Sequence, residues 1–226
     1  MAEACRALDF PVISGNVSLY NETDGRAILP TPAIGGVGIL DNLELRADAG
    51  AMKAGQHVVV VGFTASLGHL GQSLYLREVL GREEGAPPPV DLAQEKRVGD
   101  FVRGLIAAGE VTACHDVSDG GLGCALAEMA LASGIGVSLY YQGEGSDAEF
   151  LFGEDQGRYV IAFDAAFTDA FDARAEAAGV NYLLCGEAGG SDIAYLGVTG
   201  AKERIPLEDL RRLHEAWLPA YMKLAH

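Results

Sequence analysis

From residue 47 onward the apolar positions follow two different spacings. Short runs rich in β-branched residues, at 57–63, 111–115, 137–141, 158–163, 182–186 and 192–197, predict strands. Stretches in which apolar residues return every three or four positions predict helices over 70–80, 92–108, 122–133, 165–178 and 207–222. The proline-rich piece at 86–89 reads as a connector inside one domain. Helices interleaved with adjacent strand pairs predict an α+β domain, its helices packed on a mixed sheet.

The first 46 residues have another character. Residues 2–8 read as the last turns of a helix for which nothing upstream supplies a cap. A strand follows over 12–21, with Val17 and Leu19 on one side and Ser18 and Tyr20 on the other, and it ends at the turn Thr23-Asp24-Gly25. Pro30 and Pro32 bracket the approach to a second strand over 33–40, which carries three glycines. Two strands and a helix end do not close a core, so this segment is expected to be the remnant of a domain completed by other residues.

Composition narrows the classes. Hydrophobic residues make up 49% of the 226, the share of an ordinary globular protein. Thirty-two acidic against sixteen basic residues give a formal charge of −16, a field that repels polyanions and argues against nucleic acid as a partner. No apolar run approaches the roughly 18 residues of a membrane span, and the start MAEACRALDF lacks the basic and apolar parts of a leader, so a cytoplasmic protein without a membrane partner is expected. Cys5, Cys114, Cys124 and Cys185 form no C-x-x-C pair and read as reduced core cysteines; Cys124 in particular is expected to be a small buried hydrophobe of helix 122–133.

Three segments carry residues able to do chemistry. In Ser14-Gly15-Asn16-Val17-Ser18, glycine lets a ligand approach the backbone, Asn16 offers a carbonyl oxygen to a hard cation, and Ser18 can donate to a phosphate or hydroxyl. The same string also reads as a glycine bulge entering a half-buried strand, and spacing leaves both readings open. His115-Asp116-Val117-Ser118-Asp119-Gly120-Gly121 runs from a strand into a helix, where free N–H groups and the helix dipole attract anions. Asp116 and Asp119 would repel a bare phosphate, so such a site needs a cation or a hydroxyl-rich ligand. The alternative is an N-cap by Ser118 or Asp119, with glycines that let helix and sheet approach. In Phe152-Gly153-Glu154-Asp155-Gln156-Gly157-Arg158, the acids at a strand entrance suit Mg²⁺ or a ribose, or else form a solvated acidic turn.

Taken in order, GNVSLYNE, LPTPAIGGVGIL, HDVSDGGL and LFGEDQGRYV resemble the last third of the formylglycinamide ribonucleotide amidotransferases (phosphoribosylformylglycinamidine synthases of the PurL type), in the PurM or AIR synthase-like superfamily. The likeness covers essentially the whole chain and is nearer the small bacterial form. It implies that residues 1–46 are the end of the second N-terminal-like barrel domain and that 47–226 are the complete second C-terminal-like α+β domain. The implied reaction is ATP- and Mg²⁺-dependent conversion of formylglycinamide ribonucleotide and glutamine-derived ammonia to the formylglycinamidine.

Carried over residue by residue, the resemblance makes Gly15 an ATP contact, Asn16 a Mg²⁺ ligand and Ser18 a contact to the ribonucleotide substrate. His115, Asp116, Ser118, Asp119, Glu154 and Asp155 would line a pseudo-equivalent nucleotide or Mg²⁺ site. The catalytic histidine and most metal carboxylates of the family lie in the half not represented here, so this piece is expected to be inactive alone. Implied partners are the N-terminal remainder of the same enzyme, a glutaminase subunit and a small accessory subunit, with self-association of the piece through its first 46 residues. The alternatives are a scaffold domain that holds a nucleotide, or another ATP-dependent enzyme of the superfamily.

Overall fold

A computed structural model describes the chain except for residues 17–21, 28–31, 63–67, 142, 201 and 225–226. It divides into two compact units, Met1–Leu43 and Glu44–His226.

The first unit holds α1 (Ala2–Ala7), β1 (Ser14–Asn16), β2 (Glu22–Thr23), β3 (Arg26–Ala27) and β4 (Ala33–Gly35). β1 and β4 pair antiparallel, Gly15 opposite Ile34 and Asn16 opposite Ala33. β2 and β3 form a hairpin through Asp24 and Gly25, both at positive φ (51° and 75°), as a type I′ turn requires. The strand expected over 33–40 pairs only as far as Gly35. None of the unit's described residues is buried: Ile13 is 64% exposed, Val37 74% and Ile39 91%.

The second unit is a mixed sheet between two layers of helix. In chain order it contains β5 (Gln56–Val61), α2 (Leu92–Ala107), β6 (Ala113–Asp116), α3 (Gly121–Ser133), β7 (Val137–Tyr140), α4 (Asp147–Phe152), β8 (Tyr159–Asp164), α5 (Thr168–Ala178), β9 (Tyr182–Ala188), β10 (Asp192–Leu196), β11 (Lys202–Pro206) and α6 (Leu207–Leu224). Among the described residues the sheet has seven strands in the order β11-β10-β7-β9-β5-β8-β6. β10 runs parallel to β7; the other neighbours are antiparallel.

β5 lies in the interior, and its four consecutive valines follow from that position: a strand covered on both faces has no polar side. Val58 and Val60 pack with Leu122, Leu126 and Met129 of α3, whereas Val59 and Val61 pack with Val98 and Val102 of α2 and Phe171 of α5. β8 repeats the division, Val160 and Ala162 to the first layer, Ile161 and Phe163 to the second. The α+β architecture, with a mixed sheet and flanking helices, is the one expected from the sequence.

Four local expectations are corrected. The helix expected over 70–80 shrinks to a π-helical turn, Tyr75–Val79. Gln72 at φ 60° interrupts it, and a Cβ at Gly71 would sit 2.5 Å from the Ala86 carbonyl. α4 occupies a stretch to which the sequence pattern assigns no element; its signal was a capping box, in which the Ser146 hydroxyl accepts from the Glu149 N–H and the Glu149 carboxylate accepts from the Ser146 N–H. β11 was missed because an exposed edge strand has little hydrophobic alternation and this one ends in proline. Cys124, expected to be buried, is exposed on the first turns of α3.

Candidate functional site

In the first unit, Gly15 and Asn16 lie on the exposed strand β1. A Cβ at Gly15 would come 3.1 Å from the Ala33 carbonyl, so glycine here lets the two short strands close up. Asn16 is exposed and its side chain offers an amide oxygen, a donor of the kind a hard cation accepts. Ser18 lies outside the described residues. Among the described residues no group of three or more His, Cys, Asp or Glu side chains could hold a metal. A single neutral amide oxygen on β1 is not by itself a metal site.

In the second unit, three segments distant in sequence converge at the start of α3. Gly120 caps this helix at φ 78° and Gly121 follows at φ 69°, two left-handed residues that need glycine. A Cβ on Gly121 would meet the Gly153 carbonyl at 2.6 Å, so the pair lets α3 start directly against the end of α4. This corrects two expectations: neither Ser118 nor Asp119 is the N-cap, and the close approach is helix to helix end. Both side chains are exposed, as is that of Asp116.

Glu154 and Asp155 are not a solvated turn. Glu154 Oε1 accepts the N–H of Gly120 and the N–H of Leu74, each at 2.8 Å. Asp155 Oδ2 accepts the N–H groups of Gly68 (2.9 Å) and His69 (3.1 Å) and faces Arg158 at 3.7 Å. Arg158 is only 4% exposed; its Nη2 donates to the Gly153 carbonyl at 2.6 Å and its Nε to the Asp155 carbonyl at 3.1 Å. Burial lowers the Arg158 pKa and the neighbouring acids Asp155 and Glu154 oppose that, so the guanidinium stays charged.

One oxygen each of Glu154 and Asp155 thus holds backbone amides, tying 68–74, 120–121 and 153–158 together. His115 and Asp116 come close to this knot without joining it. The His115 Nδ1 faces the Asp116 carbonyl at 2.6 Å and its Nε2 the Glu128 carboxylate at 2.9 Å.

Sequence reasoning missed three participants: the amides of Gly68, His69 and Leu74, the buried guanidinium of Arg158, and Glu128 as the partner of His115. An arginine three residues after an acid, at a glycine-rich strand entrance, was the available signal for Arg158. It also missed an apolar cavity of about 420 Å³ against α3 and α4, with Cys124, Leu151, Phe152, Ile193 and Tyr195 in its wall. Tyr195 spends its hydroxyl outside that wall, donating to Asp147 at 2.7 Å. The residue is exposed as a whole, but partial desolvation of its thiol, then the negative charge of Glu128 and Glu154, pushes the Cys124 pKa up.

A mixed sheet with α2 and α5 on one face and α3 and α6 on the other, and a double-glycine turn leading into α3, defines a class. Residues 53–198 match the family described as AIR synthase related protein, C-terminal domain, and the chain belongs to that family. It is similar to the phosphoribosylformylglycinamidine synthase subunit PurL of Rhodospirillum rubrum, 57% identical over 224 residues, 98% of this chain and 30% of the relative.

Solved structures share the fold. Thermotoga maritima PurL complexed with FGAR superposes with a TM-score of 0.61 at 15% identity, covering 78% of this chain and 30% of that one. The same protein complexed with ATP gives 0.57 at 16% identity, covering 79% and 28%. The chain therefore spans about 30% of the length of the curated relatives it matches. Among the described residues no helix is long and apolar enough to cross a membrane.

Proposed function

We propose that these residues form the C-terminal part of a cytoplasmic, ATP-dependent phosphoribosylformylglycinamidine synthase. The observation that carries this reading is the 57% identity to a PurL subunit across 98% of the chain. The whole enzyme joins ammonia derived from glutamine to formylglycinamide ribonucleotide. When bound, ATP with Mg²⁺ supplies the phosphoryl group that turns the amide oxygen into a leaving group.

The chain's own share is positional. Gly15 brings the β1 backbone close to the nucleotide, Asn16 lends its amide oxygen to Mg²⁺, and Ser18 donates to the ribonucleotide. The remaining ligands, the catalytic groups and the cover for the exposed first unit come from the part of the enzyme beyond these residues, with a glutaminase and a small accessory subunit as further partners. The domain boundary falls near residue 46, the first part completing a barrel domain and the second standing as a whole C-terminal-like domain.

A scaffold role for the second unit has its own support. Glu154 and Asp155 spend oxygens on backbone amides of their own unit, which stiffens it internally. Asp116, Ser118 and Asp119 are then the exposed groups left to meet a nucleotide.

The test is a full-length chimera in which this chain replaces the matching residues of the Rhodospirillum rubrum relative. The chimera is expected to form formylglycinamidine ribonucleotide with ATP consumption, and the 226-residue chain alone is expected not to. Asn16→Ala in the chimera should lower kcat/KM roughly 10²-fold if a metal ligand is lost. An inactive but folded chimera, or turnover by the chain alone, would overturn the reading.

A further inference from the structure

α6 starts inside the core and leaves it. Leu207 is 7% exposed and Leu210 packs against the first core layer. Arg211 fastens the same turn by donating from Nη2 to the Leu131 carbonyl, near the end of α3, at 2.7 Å. The apolar stripe that includes Leu210 does not stop there. It continues through Leu213, Trp217 and Tyr221, at i+3, i+7 and i+11, on one side of the helix.

Past the core edge these side chains face solvent: Leu213 is 64% exposed, Trp217 66% and Tyr221 57%, with Leu218 and Met222 more than half exposed beside them. The rings of Trp217 and Tyr221 stack on each other at 5.3 Å, presenting a continuous aromatic surface. Other positions along the helix carry the ion pairs Asp209 with Arg212 and Arg211 with Glu215. Five large apolar side chains exposed side by side, rimmed by charge and continuous with a packed interface, mark a protein contact rather than a solvated face.

We infer that the exposed stripe of α6 is the seat for residues of the full-length enzyme that lie outside this chain. The inference rests on the reading under Proposed function, since it takes its occupant from the PurL relative, of which this chain spans only 30%. The stripe extends packing that already exists within the second unit, and Trp217 with Tyr221 has the composition of an interface anchor.

Hydroxyl-radical footprinting in the chimera and in the 226-residue chain tests it, because trypsin releases residues 213–223 as one peptide that contains Trp217, Tyr221 and Met222. Oxidation of that peptide is expected to be at least about five-fold slower in the chimera, the change from an exposed to a buried aromatic. Equal rates in both proteins would overturn the inference. So would protection in the short chain that rises with its concentration, which would make a second copy the occupant.

As a second readout, Trp217→Glu with Tyr221→Glu should lower the chimera's melting temperature by roughly 4 °C or more and leave that of the short chain unchanged. Equal shifts in the two proteins would refute it. The two readings fail separately: an active chimera with an unprotected peptide removes the surface alone, and a protected peptide in an inactive chimera removes the activity alone.

Discussion

Removing the Glu154 carboxylate should loosen three segments at once. One oxygen of this side chain holds the N–H of Leu74 and the N–H of Gly120, 80 and 34 residues away in sequence. A hydrogen bond to a charged acceptor contributes about 1.5–3 kcal/mol. The knot is partly buried, so water recovers a share of the two lost bonds, and Glu154→Ala should cost about 2–4 kcal/mol. In a unit of this size each kcal/mol is worth roughly 2–4 °C in Tm, which gives a fall of roughly 4–16 °C.

Glu154→Gln keeps an acceptor without its charge and should lose about half as much. Calorimetry at pH 7 reads the shift, and hydrogen exchange reads its place: the amides of Gly120 and Leu74 should exchange faster, while those of β5 change only through global stability. The reasoning is refuted if Glu154→Ala stays within about 0.5 kcal/mol of the parent chain and leaves both amides protected.

Three other perturbations follow from the same geometry. Asp155→Ala removes the carboxylate facing the Arg158 guanidinium, 4% exposed, and the acceptor of the Gly68 and His69 amides, and denaturant titration should show a loss of about 3–5 kcal/mol. Burial, then the charge of Asp91, raises the Glu95 pKa, so the ionised carboxyl opposes folding. Glu95→Gln should therefore stabilise the chain at neutral pH, and the gain should vanish as pH falls below the unfolded carboxyl value; equal gains at pH 3 and pH 7 would contradict this. Burial pushes the thiols of Cys114 to about 11 and of Cys185 to about 12, so at pH 8 Ellman's reagent should label Cys124 in the native chain and reach Cys114 and Cys185 only after unfolding.

Much of the architecture was legible because it depends on local pattern. The all-apolar run of β5, the 3.6-residue spacing of α2 and α3 and the glycine turns each report on their own surroundings within a few residues. That is enough for an α+β domain and, with four separated motifs in register, for the family. Periodicity fails where a segment is short or lies at an edge, as with α4, β11 and the interrupted helix at 70–80.

The sequence also placed chemically able residues at the start of α3 and before β8, but their use was decided by the tertiary structure. Whether Glu154 and Asp155 face a ligand or backbone amides depends on where residues 68–74 and 120 lie, and no spacing encodes that distance. The same holds for the exposed stripe of α6. Its amphipathic pattern is read from Leu207 to Tyr221 in one dimension, but only the fold shows that the core ends after Leu210 and leaves the remaining apolar side chains uncovered. Composition and periodicity determine which faces must be buried; the packing of distant segments determines which of them are.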